Sequence, residues 1–225
     1  GSLKSLKILN LRYNQMESLP SSIKTLQNLE KLDLRSNKLL SLPSDLNRLK
    51  KLELLDLHGN RLKEARINLL PLNSLNYLEL GLNSFKQLPN WVRKINDLKR
   101  LGLGGNRIKK LPKWIGSLQS LQELHLYDNE ILILPDSIGK LHNLIRLTLW
   151  NNQLSTLPRS FSLLSKLKVL NLSWNKFIKL PEWIGKLESL EILTLWGNKL
   201  EELPESIAQL KSLKKLDLNF NKIKI

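Results

Sequence analysis

The chain has 225 residues, a formal net charge of +16, 41% hydrophobic residues and no cysteine. The missing cysteine excludes the disulfide-clamped caps common in secreted eukaryotic repeat domains, and no apolar run reaches membrane-spanning length. The basic balance gives a solvated surface that attracts acidic partners, phospholipid or nucleic acid; it is densest at Arg93, Lys94, Lys99, Arg100, Arg107, Lys109, Lys110 and Lys113, opposed only by Asp97.

Gly1-Ser2 reads as a cloning remnant, so a signal peptide upstream is compatible with the sequence. A cytoplasmic protein and an exported bacterial one both fit a cysteine-free chain. From there one unit repeats every 23 residues, marked by Asn14, Asn37, Asn60, Asn83, Asn106, Asn129, Asn152, Asn175, Asn198 and Asn221. Nine full repeats run from Leu6 to Ser212 with partial ones at both ends, so residues 1–225 are expected to form a single domain. An uninterrupted period of this length means a solenoid. Neither end carries a distinct cap, which solenoids need. Trimmed flanking segments are the favoured explanation, with a monomer or weak self-association through uncapped ends as the expected states.

Residues 190–212 show the unit in full. Leu193 and Leu195, two apart, predict a half-buried strand; Asn198 follows, then Leu200, Leu203-Pro204, Ile207 and Leu210. No single repeat can bury these apolar residues, but stacking does so, and each buried aliphatic side chain contributes roughly 1.5–3 kcal/mol. The asparagine carboxamide, with two donors and an acceptor, suits the backbone groups stranded where each strand turns. Pro20, Pro43, Pro89, Pro112, Pro135, Pro158, Pro181 and Pro204 are expected at the first position of short helical or 3₁₀ turns on the return path.

Variable positions three, five, seven and eight of each repeat project from the inner face as columns, with rungs about 4.8 Å apart. Along the first repeats the columns are charged: Arg12 and Arg35 at position seven, and Asp33, Asp56 and Glu79 at position five. Stacked carboxylates repel unless neutralised, and Arg35, Lys31, His58 and Arg100 are placed to do so. A divalent metal held by Asp33, Asp56, His58 and Glu79 is the weaker alternative; otherwise no cofactor is expected. Residues 52–74 break the pattern: Ala65-Arg66 replaces Leu-Pro and the proline comes late, at Pro71, so an irregular outer segment is expected beside an intact inner strand. Gly81, Gly102, Gly104 and Gly105 then predict a shallow trough open to a partner's backbone.

The last five repeats carry Tyr127, Trp150, Trp174, Trp196 and Phe220 at positions seven or eight. Exposed aromatic patches mark interaction surfaces, and Trp and Tyr dominate interface hot spots. Trp91, Trp114 and Trp183, two residues after the proline, read instead as packing on the outer side.

The frame L-x-x-L-x-L-x-x-N-x-L-x-x-L-P-x-x-I-x-x-L-x-x resembles the leucine-rich repeat family, in the 23-residue form found in Ras-suppressor, Scribble/Erbin-type and Roco proteins and in bacterial, notably leptospiral, repeat proteins. That resemblance implies an α/β solenoid: a horseshoe with a parallel concave β-sheet and short helical or 3₁₀ turns on the convex side. It also implies binding of proteins on the concave sheet.

Catalysis needs a nucleophile, a base and a stabiliser held together. His58 and His125 are expected three rungs apart, roughly 14 Å by rung spacing, and His142 belongs to the outer connection, so an enzyme is not expected. The sequence therefore predicts a non-enzymatic interaction module. Its partner protein or peptide lies on the concave face against Tyr127, Trp150, Trp174, Trp196 and Phe220, with Arg12, Arg35 and Arg100 contributing charge. Alternatives are anionic-ligand or glycan binding on the same face, with nucleic acid disfavoured, or a structural segment of a larger signalling protein.

Overall fold

A computed structural model of the chain describes residues 3–63 and 72–224. The chain divides into two compact units, residues 1–107 and 108–225, each built on the same plan. In the N-terminal unit the strands are β1 (Ile8–Asn10), β2 (Lys31–Asp33), β3 (Leu54–Asp56), β4 (Tyr77–Glu79) and β5 (Arg100–Gly102). In the C-terminal unit they are β6 (Glu123–His125), β7 (Arg146–Thr148), β8 (Val169–Asn171), β9 (Ile192–Thr194) and β10 (Lys215–Asp217). Within each unit every strand pairs in parallel with the next, and partners lie one period apart: Leu9 faces Leu32, and Leu170 faces Leu193. Constant register is what an insertion-free repeat must give. The strand of the irregular repeat is intact, as expected; Ala65, Arg66 and Pro71 lie outside the described residues.

Leucines point from the strands into the core of each unit. Leu32, Leu55 and Leu78 are fully buried in the first unit, and Leu124, Leu147, Leu170 and Leu193 in the second. Large rings are fully buried too, Phe85 in the first unit and Phe161 and Phe177 in the second.

The asparagines do what their chemistry allows. Asn152 Nδ2 donates to the carbonyls of Leu126 (2.9 Å) and Leu149 (3.0 Å), while its Oδ1 accepts from Ile131 N at 2.9 Å. Asn37, Asn60, Asn175 and Asn198 repeat the arrangement. Each carboxamide thus joins its own coil to the preceding one.

One regularity has no counterpart in the sequence pattern. The residue before each ladder asparagine has a left-handed backbone, whether glycine (Gly59, Gly105, Gly197) or not (Tyr13, Ser36, Leu82, Asp128, Asn151, Trp174, Phe220). The chain must reverse there to leave the strand.

On the return path each coil whose outer segment is described makes one 3₁₀ turn, such as Ser21–Thr25 and Ser44–Arg48 in the first unit and Asp136–Lys140 and Glu182–Lys186 in the second. Proline stands one residue earlier than expected. It caps the turn from an extended conformation (Pro135 φ −72, ψ 150), and its carbonyl accepts the turn's first hydrogen bond, from Ile138 N at 3.0 Å. The fixed φ suits that position, and proline's missing N–H is not needed there. Neighbouring turns in the second unit interlock through small residues: the bare Cα of Gly116, Gly139 and Gly185 lies against Ser137, Ser160 and Ser206 of the next coil. In the first unit an ion pair, Lys24–Asp45 at 3.3 Å, takes the equivalent place. Trp91 is buried in its turn, and Trp183 packs tilted against Phe161, as outer packing requires. No helix among the described residues is long and apolar enough to cross a membrane.

Candidate functional site

The strand face of the C-terminal unit holds the aromatic residues, in two clusters. Tyr127 and Trp150, one rung apart at position seven, stack with centroids 4.9 Å apart and planes 1° from parallel. That separation is the rung spacing of the sheet, so the two rings stand side by side like their strands. The second cluster crosses columns: Trp174 meets Trp196 edge-on at 4.9 Å, and Trp196 meets Phe220 edge-on at 5.9 Å. Edge-to-face contacts of this kind contribute about 0.5–1.5 kcal/mol each beyond area burial.

The second cluster is costly in two ways. Trp174 and Phe220 occupy the left-handed turn position with φ of 52 and 54, where a bulky side chain costs on the order of 1–3 kcal/mol. Their rings are also 47% and 76% exposed, and Trp196 is 37% exposed. Gly197 completes the arrangement, and the sequence reading overlooked it. It sits in the next coil beneath Trp174, and its missing side chain is the space the indole occupies. The available signal was a glycine exactly one period after a tryptophan. Around the rings lie polar groups already paired: His125 contacts Thr148 Oγ1 at 3.0 Å and Glu123 Oε2 at 3.2 Å, and Asn151 Nδ2 donates to Asp128. Tyr13 and Leu82 are bulky, exposed, left-handed residues of the first unit.

The strand face of the N-terminal unit is an ion-pair network. Arg35 binds Asp33 through Nη2 at 2.6 Å and reaches Asp56 Oδ2 with Nε at 3.3 Å. His58 Nδ1 lies 3.9 Å from Glu79 Oε1. The carboxylates also accept turn amides, Asp33 from Arg35 N, Asp56 from His58 N and Glu79 from Gly81 N. Burial raises Asp33, but the hydrogen bonds from Arg35 outweigh it and hold the carboxyl below its ordinary value. At Asp56 burial prevails and pushes it up to about 6, because Arg35 is shared and Glu79 and Asp33 lie near. The Glu79 carboxylate holds His58 above its usual range against its own desolvation.

These contacts answer several expectations. Arg35 does neutralise the acidic column. Among the described residues no three His, Asp or Glu side chains are placed to hold a metal ion; Asp33, Asp56, His58 and Glu79 form a row, not a cage. Arg100 lies over the Tyr77 ring at 5.1 Å, while Arg12 is exposed. The expected trough is not bare. The Glu79 carboxylate fills the space a side chain would need at Gly102, and a Cβ at Gly81 would come within 2.6 Å of His58 Nδ1. These glycines make room for the acidic row.

Family comparisons agree with this geometry. Residues 86–171 and 159–224 match the family described as "Leucine-rich repeat region", and residues 4–62 match "Leucine rich repeat". The chain belongs to the leucine-rich repeat family. A leucine-rich-repeat protein of Leptospira interrogans is 38% identical with a TM-score of 0.77; the match covers 97% of this chain and 62% of that one. The Arabidopsis receptor kinase HAESA, solved in complex with the peptide hormone IDA and a co-receptor, is 27% identical with a TM-score of 0.79, over 98% of this chain and 39% of that one. InlJ of Listeria monocytogenes, at 21% identity and TM-score 0.70 over 99% of this chain and 51% of that one, shares the fold. This leucine-rich-repeat chain thus spans less than two thirds of the length of each of these proteins. No curated protein matches the sequence.

Proposed function

We propose that this leucine-rich-repeat chain is a non-catalytic module that binds a partner protein or peptide on the strand face of its C-terminal unit. Tyr127, Trp150, Trp174, Trp196 and Phe220 are the anchors. The observation that carries this reading is the placement of Trp174 and Phe220: large rings, exposed, on a backbone that favours glycine. Folding gains little from such a residue there, whereas a partner that covers the rings gains the hot-spot energy of buried aromatics. The similarity to HAESA, which was solved with a peptide hormone, supports a peptide or protein ligand. In the N-terminal unit Arg12 is free to meet acidic groups of a partner. Arg35 and Arg100 are engaged within the face, so they act mainly on its field and on association rate.

Binding is tested by immobilising the chain and identifying the polypeptides it captures, alongside Trp150→Ala, Trp196→Ala and Trp174→Gly variants. The reading requires a polypeptide held by the parent chain and lost from all three, with Trp174→Gly at least as stable as the parent. If Trp174→Gly unfolds the chain, the ring is structural and the proposal fails. Retention of a glycan or an anion in place of a polypeptide, the latter with steep salt dependence, would replace it.

A further inference from the structure

We propose that the C-terminal unit carries a second binding site beside its outer turns, a cleft that takes an acidic peptide segment bearing an apolar side chain. The site shares no residue with the aromatic face and does not depend on it. Two consecutive coils form the cleft, at residues 110–113 and 133–137, with Lys140 closing it. A parallel bridge between Lys110 and Ile133 holds the two stretches side by side, and each then enters its 3₁₀ turn. The cleft is half open to solvent and offers about 810 Å³, within the roughly 300–1,000 Å³ of ordinary ligand sites.

The floor is apolar and the rim is basic. Leu111 and Leu134 are nearly buried beneath it, whereas Ile133 is 63% exposed and lines the cleft. Lys110, Lys113 and Lys140 surround it with Asp136 as the one carboxylate. Some lysines pair with a carboxylate one period away: Lys7 with Glu30 at 2.9 Å, Lys179 with Glu202 at 3.6 Å, and Lys168 and Lys214 both with Glu191. Lys113 and Asp136 are also one period apart and opposite in charge, yet no ion pair joins them across the cleft. Among the described residues Lys110 and Lys140 likewise have no acidic partner.

Three lysines against one carboxylate around an exposed isoleucine make a net positive rim, which suits a ligand with carboxylates and an apolar group within a few residues of each other. An extended acidic peptide has that spacing. A membrane surface is the poorer fit, because Ile133 lines a recess where a bilayer would need a protruding apolar surface.

The test is fluorescence anisotropy of a short fluorescein-labelled peptide of glutamates interrupted by leucines, titrated with the whole chain. Saturable binding is expected, weakened about tenfold by Lys113→Glu with Lys140→Glu and several-fold by Ile133→Ser. Trp150→Ala and Trp196→Ala should leave it unchanged, which separates this site from the aromatic face. No binding of the peptide overturns the proposal. So does equal binding of a glutamate-only peptide with Ile133→Ser silent, which would mean charge alone. Binding of phosphatidylserine vesicles in preference to the peptide, lost in the same lysine variants, would assign the cleft to a membrane and overturn it too.

Discussion

The indole of Trp174 lies on Gly197, one coil further along: a Cβ built at Gly197 would stand 2.9 Å from both Cδ2 and Cε3 of the ring. Gly197 itself has φ of 69, so alanine there would meet both the ring and an unfavourable backbone. Gly197→Ala is expected to cost about 1–3 kcal/mol of unfolding free energy and to shift the tryptophan fluorescence as the indole is displaced. In a Trp174→Gly background the steric part disappears and the backbone part remains. A double-mutant cycle should therefore give a coupling on the order of 1 kcal/mol. Additive effects would show that the ring does not rest on the glycine.

The asparagine ladder predicts a graded series. Asn152→Ala leaves the amide of Ile131 without its partner and takes one of two asparagine donors from the carbonyls of Leu126 and Leu149, which keep Asn129 and Asn175. At about 1–3 kcal/mol for the one buried unpaired amide, with a smaller loss from the weakened carbonyl bonds, the cost should be about 2–3 kcal/mol. Asn14 is exposed and bonds only carbonyls of its own coil, so Asn14→Ala should cost less than about 1 kcal/mol. Urea unfolding of the two variants checks the order; equal losses would contradict the ladder's role.

The comparison of sequence with structure follows the same line between fixed and free positions. Leu193, Leu195 and Asn198 could be placed because identical residues recur at an unbroken period, and the register of every strand pair followed. The left-handed turn residue escaped because its identity varies from Tyr13 to Gly59 to Trp174, so no residue type announces it. Proline's residue type was readable, but its offset by one from the first turn position depends on which carbonyl closes the 3₁₀ bond. Gly102 was misjudged for a different reason. An empty position in a sequence is not an empty place in space when the neighbouring Glu79 is long enough to bend over it. The aromatic columns were legible as columns, whereas the edge-on contacts of Trp196 with Trp174 and Phe220 depend on rotamers.

The acidic row gives the N-terminal unit a pH dependence of definite sign. Asp56 is raised to about 6, so the folded state holds its proton more tightly than the unfolded chain. The resulting stability is fully present below the ordinary carboxyl value of about 4 and is lost as pH rises through about 6. His58 is also raised, by Glu79, and its contribution is lost as pH climbs above about 6.5. Asp33 is lowered and acts the other way, losing its contribution only below about 4. Stability should therefore fall, on the order of 2 kcal/mol, between about pH 5 and pH 8. Asp56→Asn should flatten the lower part of that slope. Asparagine fits the position, since Asn171 accepts the same turn amide, from Ser173 at 3.0 Å. Urea midpoints across this range decide it, and stability that rises with pH would refute the assignment.

The outer turns offer a test in which the sign alone is decisive. Glycine to alanine in an exposed helical turn normally stabilises by about 0.5–1 kcal/mol. At Gly139, however, a Cβ would collide with the backbone carbonyl and side chain of Ser160, and at Gly185 it would come within 2.5 Å of the Ser206 carbonyl. Gly139→Ala and Gly185→Ala are expected to destabilise by about 1–3 kcal/mol, because carbonyls belonging to the next coil cannot move without shifting that coil. The serines are close to the glycines yet contribute little through their hydroxyls: Oγ of Ser137, Ser160 and Ser206 is buried without a hydrogen-bond partner. Ser160→Ala should then be neutral or slightly stabilising, within about 0.5 kcal/mol. Thermal melts that instead showed stabilisation by Gly139→Ala and a clear loss from Ser160→Ala would mean that hydrogen bonding, and not close approach of small residues, sets the spacing of these turns.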